Sequence, residues 1–189
     1  MLTFAQKYGR NVHSQNNEDG IIEECIKRID PELRNAVEFG APTWEYCSNT
    51  AYLSEQGWAV RMYDMEPSDQ SVTKAYITPQ NVNDIVGDTT VLSIDCDGPD
   101  YWIWKEYSYE PAIVIIEINS SIPPNIWEVP GDRGASYLSM VQLGFTKGYT
   151  LLCHTGNLIF ILDKYKYLFP EIIGHPFHDP NLYFNKSFL

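Results

Sequence analysis

The sequence predicts an α/β fold, a mostly parallel sheet with helices on both faces and a C-terminal antiparallel hairpin strand. Three observations predict it. Short β-rich apolar runs alternate with segments of helical periodicity. The clearest runs, Val91–Ile94 and Ala112–Ile116, are continuous rather than alternating, as strands buried on both faces are, and each is followed by an acid, Asp95 and Glu117. Near the end, two runs, Thr150–Cys153 and Leu158–Leu162, are separated only by His154-Thr155-Gly156-Asn157, a turn-forming tetrapeptide.

The elements follow in order. Ile21, Ile22, Cys25, Ile26 and Ile29 recur at helical spacing after Asn16 and Asn17, with Glu18 and Asp19 at the positive end of the dipole and Asp30-Pro31 as the stop. Ala36–Phe39 reads as a strand ending in Gly40, then a helix over residues 49–56 closed by Gly57. Ala59–Tyr63 is a strand ending in Asp64, Ala75–Ile77 a further strand before Pro79, and Val82–Val86 a short helix. Asp97-Gly98-Pro99-Asp100 reads as a turn in which Asp100 caps the Tyr101–Trp104 helix. After Ser136, one helical face carries Tyr137, Met140, Val141 and Gly144, and Gly148 ends that helix.

The chain has 189 residues, 44% of them apolar, enough for one sizeable core, and a single domain over residues 1–189 is expected. Its last segment, 170–189, is rich in Pro, Phe, Tyr and Asn and is expected to wrap the surface or to contact a partner, including a second copy. The N-terminus turns polar after Phe4 and no apolar run approaches the ~20 residues of a membrane span, so the expectation is the cytoplasm with no membrane partner. Cys25, Cys47, Cys96 and Cys153 form no C-x-x-C pair and are expected to be reduced and mostly packing residues. A formal charge of −12 opposes binding to a phosphate backbone, which disfavours nucleic acid as partner.

In an open parallel sheet, ligands bind beyond the carboxyl ends of the strands. Four predicted strands deliver a carboxylate there: Glu38, Asp64, Asp95 and Glu117. One such residue is ordinarily a turn former or cap, but the repeated placement points to a site. Gly40 would let the backbone approach a ligand, and Asp64, roughly 20 residues further on, is placed to accept from a ribose diol. The turn Gly40-Ala41-Pro42-Thr43-Trp44 lacks the G-x-G-x-x-G spacing of a dinucleotide site, which disfavours NAD(P). Asp95-Cys96-Asp97 supplies hard oxygen ligands suited to Mg²⁺ or Mn²⁺, while the spacing through Asp100 does not fit a calcium EF-hand loop. An Asp-x-Asp after a strand also fits a metal-dependent nucleotide-sugar glycosyltransferase, although Glu38, Gly40 and Asp64 have no place in that reading. Neither a G-x-S-x-G elbow nor a Cys with a suggestive partner is present. His154 reads as a surface loop residue, and His13, His175 and His178 carry no assigned chemistry.

Ser14-Gln15-Asn16-Asn17-Glu18-Asp19-Gly20, Val37-Glu38-Phe39-Gly40-Ala41, Ser48-Asn49-Thr50, Gly57-Trp58, Leu92 through Trp102 and Glu117-Ile118-Asn119 occur in this order. In them the chain resembles FkbM-like methyltransferases dependent on S-adenosylmethionine (SAM), over roughly residues 14–161. The resemblance implies a Rossmann-like class I methyltransferase fold with SAM in the cleft. It implies a cofactor site that includes Ala41 and Asn49, with Glu38 and Gly40 beside the amino-acid portion, Asp64 near the ribose, and Asp95 at the motif before the transfer site. Asp95 and Asp97 are then the candidates for base or metal ligand, Glu117 and Asn119 would orient an acceptor, and that acceptor is expected to be a small molecule or a sugar. The sequence departs from the family at Pro42-Thr43-Trp44, in place of a small Gly-containing acidic turn, which puts Trp44 at the cofactor as an obstruction or a stacking surface. A scaffold that has lost turnover and serves a binding or structural role is the alternative.

Overall fold

The computed structural model describes residues 3–129, 131 and 133–170. The tail from 171 to 189, with His175 and His178, lies outside the described residues, and with it the expected wrapping or partner contact.

The chain runs α1 (Phe4–Tyr8), α2 (Glu18–Ile29), β1 (Asn35–Phe39), α3 (Ala51–Glu55), β2 (Ala59–Asp64), β3 (Thr73–Lys74), α4 (Val82–Val86), β4 (Val91–Ile94), α5 (Asp100–Glu106), β5 (Ile113–Ile116), α6 (Tyr137–Thr146), β6 (Tyr149–His154) and β7 (Leu158–Leu162), then a 3₁₀ helix (Asp163–Leu168). The sheet has the order β3-β2-β1-β4-β5-β7-β6. The first five strands pair in parallel, and β7 is antiparallel to both β5 and β6. The expected α/β class and reversed hairpin strand are therefore present, with β7 inserted between β5 and β6.

Period-two alternation divides each central strand between two cores. Val37, Phe39, Leu92, Ile94, Val114, Ile116 and Phe160 face one side, where Val82, Ile103, Trp104, Met140 and Leu143 from α4, α5 and α6 cover them. Ala36, Val91, Ile113, Ile115, Ile159 and Ile161 face the other, under Ile21, Ile22 and Cys25 of α2, with Phe4 and Phe169 from the two ends of the described chain. Phe4 and Phe169 lie 5.8 Å apart between ring centroids, and the Arg28 guanidinium stacks on both. Among the described residues, no helix is long and apolar enough to cross a membrane.

Three elements differ from the sequence-based expectation. The polar N-terminal stretch contains α1, which forms because Thr3 and Gln6 make a reciprocal capping box and Phe4 is buried. The third strand is Thr73–Lys74 rather than Ala75–Ile77. Its two pairs with Tyr63 and Asp64 fix the register, and Ala75 only donates back to the Asp64 carbonyl as the chain turns off the sheet. The helix expected over 49–56 is confined to Ala51–Glu55, because Asn49 and Thr50 are held by Glu38.

Candidate functional site

The order of the sheet reverses direction between β1 and β4: β1 leads outward to β2 and β3, and β4 leads the other way to β5. A crevice opens at such a point, outside the carboxyl ends of the strands. Gly40 follows β1 and Asp95 follows β4. The Gly40 N–H donates to the Tyr63 carbonyl and the Asp95 N–H to the Phe39 carbonyl, both at 3.0 Å. Gly40 has φ +88°, and a Cβ built on it would stand 1.3 Å from the Asp95 carbonyl oxygen. The glycine is thus required by the approach of two backbones, β1 and β4.

Above this junction lies a cavity of about 430 Å³. Gly40, Asp64 and Asp95 line it, with apolar walls from Phe39, Tyr63 and Ile77. Asp64 also makes a local turn, its Oδ1 accepting from the Glu66 N–H at 2.7 Å. Trp44 does not line this cavity: its side chain packs against Ala51, Met62 and Val72, and its backbone N–H donates to Asp69 Oδ2. The expectation that Trp44 faces the cofactor position is therefore corrected, because that apolar cluster takes the indole.

Two of the residues expected to touch a cofactor are committed within the protein. Glu38 is buried, and its carboxylate accepts from Ser48 Oγ (2.6 Å), the Asn49 N–H (2.8 Å), the Thr50 N–H (3.1 Å) and Thr50 Oγ1 (2.7 Å). The Asn49 amide donates to Ser93 Oγ at 3.1 Å. Glu38 and Asn49 thus hold the 48–50 loop on β1 and β4. Ala41 is buried beside them and, like them, is absent from the cavity wall.

The acidic residues do converge. One carboxylate oxygen each from Asp95, Asp97 and Glu117 lie within 4.8 Å of one another. Asp97 reaches this position with φ +55°, in the turn that the sequence places before α5. That turn is held by Asp100, which is fully buried and accepts from the Cys96 N–H (2.7 Å) and the Gly98 N–H (2.9 Å). Asp100 therefore organises the turn upstream of its helix. Asn119 is engaged within the loop after β5: its amide donates to the Arg133 carbonyl at 2.5 Å and its oxygen accepts from the Ser121 N–H at 3.0 Å. It shapes the loop after β5, and its expected role toward an acceptor is not supported by a free amide.

Burial, followed by the charges of Asp100 and Asp97, raises the affinity of Asp95 for a proton. Glu117 is pushed up by burial, then by Asp95, Asp100 and Asp97. The two side chains hydrogen-bond each other, so they hold one proton between them more readily than two charges. Burial also drives the Cys96 thiol upward, with Asp100 next, which leaves it a packing residue. Hard oxygen donors, close-set and short of counter-charge, are a donor set that suits Mg²⁺ or Mn²⁺.

Sequence reasoning missed a second polar knot at the same edge of the sheet. Asp19 is buried, and its Oδ2 accepts from the N–H groups of Val12, His13 and Ser14 and from Ser14 Oγ. Glu18, fully buried, accepts from the Asn16 N–H and from Thr155 Oγ1, tying the N-terminal loop to the β6–β7 turn. Two adjacent acids opening an apolar helix were the available signal. His154 is not a surface residue: it ends β6, is 3% exposed, and packs its ring 5.6 Å from that of Tyr137. The Tyr137 hydroxyl is buried, with no hydrogen-bond partner among the described residues. Because an unpaired buried hydroxyl is costly, Tyr137→Phe is expected to raise stability by about 1 kcal/mol in denaturant titration. A loss of stability would show that the hydroxyl has a partner.

No family model, no curated protein and no solved structure matches the chain.

Proposed function

We propose that the protein is a SAM-dependent methyltransferase acting on an oxygen of a small molecule or sugar. The observation that carries the reading is the cavity at the β1–β4 junction, lined by Asp64, Asp95 and Asp97, with Glu117 grouped beside the two aspartates. A reversed hairpin strand beside an otherwise parallel sheet, the arrangement class I methyltransferases share, supports it.

The bound cofactor would supply an electrophilic methyl group on a positively charged sulfonium. Asp64 accepts hydrogen bonds from a diol at the end of β2, and the apolar walls take a flat ring. The carboxylates of Asp95 and Asp97 favour a cation in the cavity through their charge. Asp95, the more readily ionised member of its pair with Glu117, takes up the proton that an acceptor hydroxyl loses near neutrality. Asp95, Asp97 and Glu117 would hold a divalent metal, which would lower the pKa of that hydroxyl. The rest of the rate enhancement comes from positioning.

Calorimetric titration with SAM and with its demethylated product, each with and without Mg²⁺, tests the reading. Saturable binding is expected, and Asp64→Ala should weaken it about tenfold, the equivalent of one lost hydrogen bond. Unchanged affinity in that variant would remove Asp64 from the site. Absence of binding under either condition would favour a scaffold without turnover, the reading that internal commitment of Glu38 and Asn49 supports.

A further inference from the structure

The loop between α1 and α2 is folded around one carboxylate. Asp19 Oδ2 accepts from three successive N–H groups, those of Val12, His13 and Ser14, at 2.7, 2.9 and 2.8 Å. With its backbone fixed in this way, the loop presents the His13 side chain to α3, where Nε2 lies 2.7 Å from Glu55 Oε1. The Glu45 backbone carbonyl, in the segment between β1 and α3, faces the same ring. The His13 side chain is 15% exposed and that of Glu55 53%, so the imidazole is largely withdrawn from water while its partner stays solvated.

A neutral imidazole has one N–H to donate, and an imidazolium has two. This ring is offered two acceptors from two places, the Glu55 carboxylate and the Glu45 carbonyl, with the charge of Asp19 beneath the loop. Burial opposes a proton on the ring, but the hydrogen bond and charge of Glu55, then the charge of Asp19 and the Glu45 carbonyl, outweigh it and raise its proton affinity. The segment that carries Glu45 begins at the cavity, since Pro42 lines the cavity wall. Its own hydrogen bonds are sparse: Thr43 Oγ1 accepts from the Tyr46 N–H at 3.2 Å, and Cys47 sits at φ +58°. We propose that protonated His13 is a clasp that holds the N-terminal loop to α3 and to the 42–47 segment, and that its deprotonation frees this rim of the cavity. The clasp is complete below the ordinary histidine value of 6.5 and is lost as pH rises through the higher folded value.

The test is NMR of the full chain from about pH 5 to about pH 9, either side of the histidine range. The His13 ring resonance, identified by its absence in His13→Gln, is expected to titrate above 6.5. Across that transition the amides of residues 43–47, corrected for intrinsic exchange, should exchange with solvent about threefold to fivefold faster, the worth of one part-exposed ion pair. Glu55→Ala, at an exposed helical position, should leave the far-ultraviolet circular dichroism unchanged and lower the His13 titration. In that variant the amides should exchange at low pH as fast as those of the wild type do at high pH. A His13 ring that titrates at or below 6.5 overturns the proposal. So does exchange at 43–47 that stays level through the His13 transition, or whose rise persists in Glu55→Ala.

Discussion

Gly40→Ala is expected to cost the protein about 4 kcal/mol or more, enough to leave much of the chain unfolded at ambient temperature. The added methyl would stand 1.3 Å from the Asp95 carbonyl oxygen, a backbone atom that cannot rotate away. Relief requires the carboxyl ends of β1 and β4 to part, and these are paired from Ala36–Val91 through Phe39–Ile94 at the centre of the sheet. Gly57 is the control: it too has positive φ, at +81°, but a Cβ there meets nothing within 4 Å. Gly57→Ala should therefore cost only the backbone strain, about 1 kcal/mol. The comparison is made by urea titration of both variants, and similar midpoints would mean that the β1–β4 approach is looser than described.

Asp95→Asn should act in the opposite direction on stability. For carboxylates whose folded proton affinity is raised, as for Asp95 and Glu117, the native state keeps protons that the unfolded chain releases. Stability is then greatest near the unfolded carboxylate value, about pH 4 as far as these groups are concerned, and falls as pH rises through the higher folded values. Removing one charge makes that fall shallower and raises stability near pH 8 by on the order of 1 kcal/mol. Millimolar Mn²⁺ should raise the wild-type thermal midpoint more at pH 8 than at pH 5, because protons compete for the same oxygens. The variant should lose most of that response. A pH profile and a Mn²⁺ response identical to wild type would show that the three carboxylates do not act as a group.

The parts of this molecule legible in the sequence are those encoded locally. Val91–Ile94 and Ala112–Ile116 announce themselves as buried strands, and the acids that follow them mark the edge where the cavity lies. Asp64, Asp95, Asp97 and Glu117 could be named for the same reason. What a carboxylate does there is set by residues distant in the chain. Glu38 resembles Asp95 in sequence, yet Ser48 and Thr50 absorb its hydrogen-bonding capacity, while the Asp95 carboxylate is grouped with Asp97 and Glu117 and lines a cavity. Asn119 looked available until the return of the chain at Arg133 and Ala135 took up its amide and its N–H. His154 was misjudged because β6 extends through it and Tyr137, from another element, covers its ring.

The position of β7 bears on how the protein is made. Leu158–Leu162, buried at every residue, is the last strand in sequence among the described residues but not the outermost in space. While the chain emerges from a ribosome, the edge formed by Ile113–Ile116 has no native neighbour on that side until β7 arrives, and β6 cannot take its final place before then. Such an open apolar edge is prone to wrong pairing. Nascent chains halted between β5 and β7 should therefore be bound by chaperones that hold unfolded segments, and release should coincide with the synthesis of the last strand rather than proceed gradually along the sheet.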